Sequence, residues 1–192
     1  MILPIIAYGN PVLRKVSTNI EASYPNLKQL IADMKETMQN ADGVGIAANQ
    51  IGKAIRIFMV DTSGFAENER LSEDQKERLR SFKKTFINPT MIEESGENSN
   101  YSEGCLSIPG IDENVVRKSQ IKINYLDEEF KPHEEVYNGL IARVIQHEYD
   151  HIDGVLFIDK ISSIKKKLIK NKLKKIAEGR VKTSYPVSYH AQ

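Results

Sequence analysis

The chain of 192 residues predicts an α+β fold: mainly antiparallel strands packed around a central metal-binding helix, with an N-terminal and a C-terminal helix. Three observations support this prediction. Short strand-like segments follow one another between two helical stretches, without the strand-helix alternation of parallel sheets. A His-Glu-x-x-His pattern lies where apolar residues recur at helical spacing. A lysine-rich amphipathic stretch follows near the C-terminus.

Length and composition indicate a single catalytic domain over residues 1–182, since a chain of this size buries one substantial core. The net charge of +1 argues against sequence-specific nucleic-acid binding. No basic region precedes the short N-terminal apolar run, which Pro4 interrupts, and no apolar run is long enough to span a bilayer. Cys105 is the single cysteine, so no intrachain disulfide can form. We therefore expect a cytoplasmic protein without membrane association.

The N-terminal half predicts one helix and one buried strand before a charged segment. Residues 25–40 have the apolar spacing of an amphipathic helix, and residues 55–60 (IRIFMV) have the composition of a buried strand. Residues 62–84 mix charges of both signs and predict a surface insertion, with a short helix starting near Ser72. The apolar stripe of the first helix consists of Leu27, Leu30, Ile31, Met34 and Met38.

The middle of the chain predicts short strands. Residues 115–116 and 121–125 alternate like half-buried strands, and Val136 fits another. Residues 93–100 are polar and predict a turn between strands. Two helices with antiparallel strands between them are the basis of the α+β prediction.

The C-terminal part predicts a basic helix over about residues 160–178, with Asp159 as its N-cap. Ten Lys or Arg and one acidic residue lie between residues 160 and 182. One interpretation is a solvated face above an apolar seam, and the other is docking to an anionic partner such as RNA. Residues 183–192 are expected to form a flexible tail. The predicted seam consists of Ile161, Ile164, Leu168 and Ile176.

The main functional signal is the segment QHEYDH at residues 146–151. Asn138 is a good N-cap and Gly154 a good helix stop, so the segment is expected inside a helix. Its two histidines, at i and i+4, are then about 40° apart around the axis and about 6 Å apart along it. Both imidazoles can therefore reach one metal ion. Glu148 lies on the neighbouring flank, where it can act on a water without ligating the metal.

The third metal ligand has two candidates. Phe157 stands where a longer His-x-x-Gly-x-x-His pattern requires a histidine, which excludes that pattern. Glu178 is the only glutamate downstream of the motif, and Cys105 is the stronger candidate because a metal would hold it as thiolate. A structural metal site in a binding module is the rival interpretation. Structural zinc sites are closed by four ligands, whereas three ligands and a glutamate leave a position for water.

The segment GVGIAANQ at residues 43–50 carries two glycines but lacks the third glycine of a dinucleotide fingerprint, so it is weak as a nucleotide site. Together with EGCLS at 103–107 and QHEYDH at 146–151, it resembles the three signature motifs of the peptide deformylase family, GxGxAAxQ, EGCLS and QHExDH. The resemblance covers residues 5–165 and includes the PVLR opening at 11–14. The chain departs from the family pattern in a longer charged insertion, a basic C-terminal extension and Ile152 in place of a commoner leucine.

The resemblance implies a metal-dependent amide hydrolase that removes the N-formyl group from formylmethionine at the start of newly made polypeptides and releases formate. It implies Fe2+ as the native metal, with Zn2+ or Ni2+ as substitutes. Glu148 would accept the proton of the attacking water and return it to the leaving amine. The Gln50 amide and the Leu106 backbone N–H would hold the oxyanion together with the metal. The implied metal ligands are Cys105, His147 and His151.

The substrate is expected to bind as an added strand beside Gly45 and Gly104, because these residues lack side chains. The methionine side chain needs an apolar pocket, with the stem of Arg143 at its rim. A nascent-chain substrate would also give the basic helix a role in docking to the phosphate-rich ribosome. The residues expected to line the methionine pocket are Val44, Ile46, Leu140 and Val144.

Overall fold

The computed structural model describes residues 1–69 and 71–190. Within these residues the fold is α+β with mainly antiparallel strands, which confirms the predicted class. No helix in this part of the chain is both long and apolar enough to cross a membrane. The helices are α1 (Leu27–Asn40), α2 (Glu73–Ser81), α3 (Gly139–Ile152) and α4 (Ser163–Ala177). The strands are β1 (Ile5–Ile6), β2 (Gly45–Ala47), β3 (Ile57–Asp61), β4 (Lys83–Glu103), β5 (Glu113–Leu126), β6 (Pro132–Asn138) and β7 (Val187–Ser188).

Strands β2 to β6 form one antiparallel sheet in sequence order, with α1 and α3 on opposite faces. The predicted strand at 55–60 corresponds to β3, whose residues are all buried. Phe58 packs into the core beneath α3, whereas Ile57 and Met59 pack into the core beneath α1. Because β3 is covered on both sides, its sequence is uniformly apolar rather than alternating.

The predicted polar turn at residues 93–100 is wrong, because these residues continue β4. They pair with β5, for example Glu94 with Ile121 and Asn98 with Lys118. This part of the hairpin is mostly exposed, so its composition is polar although its backbone is extended. Three register irregularities between Ile87 and Asn98 bend the long strand.

The charged segment at 62–84 is only partly a surface insertion. The predicted short helix is present as α2, where the Ser72 hydroxyl accepts a hydrogen bond from the Gln75 N–H. Ala66 and Leu79 are buried in the core beneath α3, and β4 already begins at Lys83. Arg70 lies outside the described residues.

The basic C-terminal helix begins later than predicted. Its N-cap is Ser162, while Asp159 instead accepts a hydrogen bond from the Leu156 N–H and forms an ion pair with Arg14. The predicted apolar seam is wrong in part, because Ile164 and Leu168 are 71% and 75% exposed. Helix α4 carries two neighbouring rows of apolar side chains. The row that packs on the core consists of Ile169, Leu173 and Ile176, and the row that contains Ile164 and Leu168 is exposed.

The expectation of a flexible tail is wrong for residues 183–190. Strand β7 pairs in parallel with β1, and the Ile5 N–H donates to the Pro186 carbonyl at 2.9 Å. Val187 and Tyr189 pack against the C-terminal core. Residues 191–192 lie outside the described part of the chain.

Candidate metal centre

Helix α3 carries the His-Glu-x-x-His motif as predicted. It begins directly after Asn138, which occupies the N-cap position without a side-chain capping bond. At its C-terminal end, Gly154 has φ +73° and follows the last turn. A Cβ at Gly154 would lie 2.6 Å from the Arg14 carbonyl oxygen, so the helix end and the N-terminal loop meet at a glycine.

Three side chains converge at the buried face of α3: Cys105, His147 and His151. One ligand atom from each lies within 4.8 Å of the other two. The Cys105 Sγ is 3.2 Å from the His151 Nε2. The histidines are 8% and 1% exposed, and Cys105 is half-buried. Glu178 is not part of this cluster. The structure therefore brings together the ligand set that the family resemblance implied.

The arrangement fits a divalent transition metal. A thiolate and two imidazoles suit zinc or iron better than a hard cation. The His147 Nδ1 lies 3.0 Å from the Glu103 Oε2, which leaves the Nε2 of His147 for the metal. Burial lowers the pKa of His147, but Cys105 and Glu103 outweigh it and raise the pKa to about 10. Burial and the charge of His147 hold the pKa of His151 well below its usual value.

Glu103 is the centre of a buried charge network behind His147. Arg117 donates to both carboxylate oxygens, at 2.7 and 2.8 Å, and Arg143 donates to Oε1 at 2.8 Å. Burial raises the pKa of Glu103, but the hydrogen bonds from Arg117 and His147 hold it far below its usual range. A second carboxylate, Asp150, accepts from Arg117 at 2.6 Å. Glu103 therefore accepts a hydrogen bond from His147 as a carboxylate at neutral pH.

Glu148 lies beside the ligand cluster without belonging to it. It is 4% exposed, and its Oε2 has no hydrogen-bond partner among the described residues. Burial raises its pKa to about 7. Gly45 on β2 packs directly against this carboxyl, since a Cβ at Gly45 would lie 2.7 Å from the Glu148 Cδ. A carboxyl with a pKa near neutrality can exchange a proton in both directions at physiological pH.

Gln50 is held with its amide nitrogen toward the cluster. Its Oε1 accepts from the Ala47 N–H at 2.8 Å. Its Nε2 donates to the Ser107 hydroxyl at 3.2 Å and lies 3.6 Å from the Cys105 Sγ. Leu106 follows the cysteine directly, so its backbone is also at the site.

A cavity of about 570 Å³ opens onto the cluster. Its lining includes every predicted catalytic residue and metal ligand except His151. Two predicted pocket residues lie elsewhere: Ile46 packs in the core beneath α1, and Leu140 packs against the core beneath α3. Arg143 does line the cavity, but it is 6% exposed and its guanidinium pairs with the buried Glu103. The placement of its stem at the rim of the methionine pocket stays a prediction. The predicted substrate-binding residues that line the cavity are Val44, Gly45, Gly104, Arg143 and Val144.

Other residues of the cavity were not predicted from the sequence. Phe65 comes from the charged segment, and Tyr101 and Ile108 flank the cysteine loop. Residues 182–185, assigned to the end of the domain and the flexible tail, form a further part of the lining. Tyr101 and Ile108 lie within a few residues of the EGCLS motif, and this proximity is a sequence signal that could have identified them. No such motif lies near Phe65 or Tyr185 in the sequence.

The fold and the site define a metal-dependent hydrolase of the His-Glu-x-x-His class. A family model described as polypeptide deformylase matches residues 2–167. The chain belongs to the polypeptide deformylase family. Its reaction is the hydrolysis of the N-formyl amide at the N-terminal formylmethionine of newly made polypeptides, with release of formate.

The relatives and the solved structures match nearly the whole length of this chain. The chain is 56% identical to a peptide deformylase of Flavobacterium johnsoniae over 191 residues, which cover 100% of this chain and 97% of the relative. A crystal structure of a peptide deformylase from Legionella pneumophila is similar with a TM-score of 0.78 and 33% identity, covering 94% of this chain and 98% of that one. The structure of Plasmodium falciparum peptide deformylase in complex with an inhibitor is similar with a TM-score of 0.76 and 32% identity, covering 91% of this chain and 99% of that one.

Proposed function

We propose that this chain performs deformylation with Cys105, His147 and His151 as the ligands of one divalent metal and with Glu148 as the general base. The main support is the convergence of the three ligand atoms within 4.8 Å. Glu148 lines the same cavity as Cys105 and His147, and its buried Oε2 has no hydrogen-bond partner in the described part of the chain. A bound metal would supply Lewis acidity and bring the pKa of a coordinated water toward about 7.

Glu148 is proposed to carry out the proton transfers. Its carboxylate accepts a proton from the attacking water and passes it to the amide nitrogen as the C–N bond breaks, which frees the α-amino group of methionine. This transfer is worth about 10²–10⁴ in rate. The burial of Glu148, which raises its pKa to about 7, suits a group that alternates between two protonation states.

Gln50 and Leu106 are proposed to stabilise the oxyanion. The Gln50 amide already points at the Cys105 Sγ, held by the Ala47 N–H and the Ser107 hydroxyl. The Leu106 N–H is adjacent to the cysteine in sequence. Donors fixed before the reaction need no reorganisation, and each is typically worth about 10²–10³ in rate.

The methionine side chain is proposed to occupy the apolar part of the cavity. The apolar side chains of Val44, Val144 and Phe65 in the cavity lining support this proposal. The peptide backbone is proposed to bind as an added strand beside Gly45 and Gly104, which line the cavity.

The metal is proposed to be Fe2+ in the native protein, with Zn2+ or Ni2+ as functional substitutes, on the strength of the family resemblance and of a ligand set that suits all three. The proposed place of action is the cytoplasm, where new polypeptides begin. The single cysteine, placed in the metal cluster, fits a reducing compartment.

Helix α4 is proposed to dock the enzyme to the anionic surface of the ribosome. Lys165 pairs with Glu113, and Lys166 donates to a backbone carbonyl, so neither side chain is free. Other lysines of the helix are exposed and have no ion pair among the described residues, and the exposed Ile164 and Leu168 lie on the same helix. These lysines are Lys167, Lys170, Lys172 and Lys175.

Charge reversal of those four lysines tests the docking. Ribosome binding of the wild type should weaken steeply with salt, and the variant should bind less at low salt while hydrolysing a short formylated peptide normally. Equal affinity of both proteins for ribosomes would leave only the solvated-face interpretation.

The proposed chemistry is tested with anaerobically purified protein and two tripeptides, formyl-Met-Ala-Ser and acetyl-Met-Ala-Ser. We expect stoichiometric metal and formate release from the first, with no hydrolysis of the second. A chelator should abolish turnover while the far-ultraviolet circular dichroism stays native. Unfolding on chelation, or bound metal without formate release, would favour the rival structural metal site.

A further inference from the structure

The C-terminal segment forms one wall of the catalytic cavity. Lys182 to Tyr185 line it together with Gln50 and Glu148. Burial alternates along the segment: Thr183 and Tyr185 are half-buried, whereas Lys182 and Ser184 are exposed. Thr183 and Tyr185 therefore bury part of their surface against the protein, and the backbone bends at Ser184 and Tyr185. The pairing of β7 with β1 immediately afterwards anchors the segment.

Tyr185 joins this wall to the cysteine loop. Its hydroxyl donates a hydrogen bond of 2.9 Å to the Leu106 carbonyl. The Tyr185 ring packs against the core beneath α1, and so does Leu106. A tyrosine fixed by packing holds its hydroxyl at small entropic cost.

The cysteine loop is held at three successive carbonyls. The Cys105 carbonyl accepts from the Ile108 N–H at 2.9 Å, and the Ser107 carbonyl accepts from the Tyr8 N–H at 2.8 Å. The Leu106 carbonyl between them accepts from Tyr185. Only this middle bond is made by a side chain, so only this one can be removed by substitution without altering the backbone.

We infer that Tyr185 is a positioning residue for deformylation, which orients the Leu106 backbone N–H toward the reacting carbonyl by holding the Leu106 carbonyl. The inference rests on the proposed role of Leu106. The Leu106 N–H belongs to the peptide unit of the Cys105 carbonyl, which the Ile108 N–H holds, and the Leu106 C=O belongs to the next unit, which Tyr185 holds. Holding both units fixes φ and ψ of Leu106, so loss of the Tyr185 bond would free ψ and loosen the loop that directs the Leu106 N–H. Tyr185 lies 79 residues after Leu106 in the sequence, so the C-terminal segment helps to position a group of the catalytic site.

Tyr185→Phe tests the inference, with Tyr189→Phe as the matched control. Tyr189 lies in the same segment and also donates to a backbone carbonyl, that of Val181 at 3.4 Å, but it does not line the cavity. We expect kcat of Tyr185→Phe on formyl-Met-Ala-Ser to fall about tenfold, a fraction of the effect of removing an oxyanion donor outright. KM, metal content and Tm should stay near wild type. Tyr189→Phe should match the wild type in kcat, KM, metal content and Tm.

A second readout does not depend on turnover. The amide ¹⁵N shift of Ser107 reports on the Leu106 carbonyl, because both atoms belong to one peptide unit. It should change in Tyr185→Phe and not in Tyr189→Phe. A kcat within twofold of wild type, an equal fall in both variants, or an unchanged Ser107 shift would overturn the inference. If the wild-type protein releases no formate, the proposed function fails, and the Ser107 shift still decides whether Tyr185 holds the loop.

Discussion

The Glu103 Oε2 lies 3.0 Å from the His147 Nδ1, and this contact orients a proposed metal ligand from behind. Glu103→Gln should lower metal affinity about 10–100-fold, because the amide is a weaker acceptor and holds the ring less firmly. Arg143 would lose its anion and Arg117 would keep only Asp150, so the free energy of unfolding should fall by about 3 kcal/mol. Chelator competition and urea unfolding measure the two effects.

The control for Glu103 is Glu134→Gln, which removes a glutamate whose partner Lys122 lies on the exposed sheet surface. This variant should keep wild-type metal affinity and near-wild-type stability, because an exposed ion pair contributes little. A metal affinity within twofold of wild type in Glu103→Gln would show that the contact does not orient His147.

Glu148→Gln should keep its metal and lose about 10²–10⁴ in kcat. The reason is that Glu148 lies outside the ligand cluster, while its carboxyl faces the same cavity. Metal per chain and formate release are measured on the same sample. Turnover that falls only in proportion to lost metal would make Glu148 a ligand or a support rather than the base.

Gly45→Ala should lower kcat by about 10²-fold, because the new methyl group would displace the Glu148 carboxyl. That carboxyl is buried between β2 and α3, so it has little room to move away from a Cβ 2.7 Å from its Cδ. Gly64→Ala is the control, since its Cβ would meet the Val44 Cγ1 at an ordinary 3.9 Å. Near-normal kcat in Gly45→Ala would contradict the close packing of Gly45 on Glu148.

A second charge cluster predicts a pH effect on stability. Burial raises the pKa of Glu135, but hydrogen bonds from Lys84, Tyr137 and Tyr125 outweigh it and lower the pKa to about 2. A carboxyl with a lowered folded-state pKa stabilises the fold above its ordinary pKa of 4.5 and loses that contribution as pH falls toward about 2. Its side chain is 34% exposed, so the contribution at neutral pH is about 1 kcal/mol at most.

Glu135→Gln measures that contribution. Both proteins are compared in a Cys105→Ala background, where acid release of metal adds nothing. The difference in unfolding free energy between the protein that retains Glu135 and the Glu135→Gln variant should be full at about pH 6 and shrink steadily below about pH 4.5. A difference that stays constant down to about pH 3 would contradict the assigned ionisation of Glu135.

The sequence predicts well the parts of the site that are local in the chain. His147, Glu148 and His151 share one helix, so helical spacing alone places them near one ion. Cys105 is the better of the two ligand candidates in the sequence and the one that the family resemblance implies, and the structure brings it to the histidines. Strand β3 was predicted correctly because burial on both faces makes its residues uniformly apolar.

The features that the sequence did not predict depend on contacts between distant segments. Tyr185 and Phe65 reach the cavity from segments that composition assigns to the surface, and no local periodicity marks them. Ile164 and Leu168 fit a helical seam as well as Ile169 and Ile176 do, and only the packing of the helix decides between the two rows. Residues 93–100 are polar because the hairpin is exposed, and polarity alone does not separate an exposed strand from a turn.

The metal content of Cys105→Ala, measured by elemental analysis after anaerobic purification beside the wild type, tests the proposed ligand set directly. The proposal is that Cys105, His147 and His151 together hold the metal that deformylation requires. It predicts about one metal ion per wild-type chain, most of that metal lost in the variant, and formate release from formyl-Met-Ala-Ser lost with it. Stoichiometric metal in Cys105→Ala would contradict the proposal.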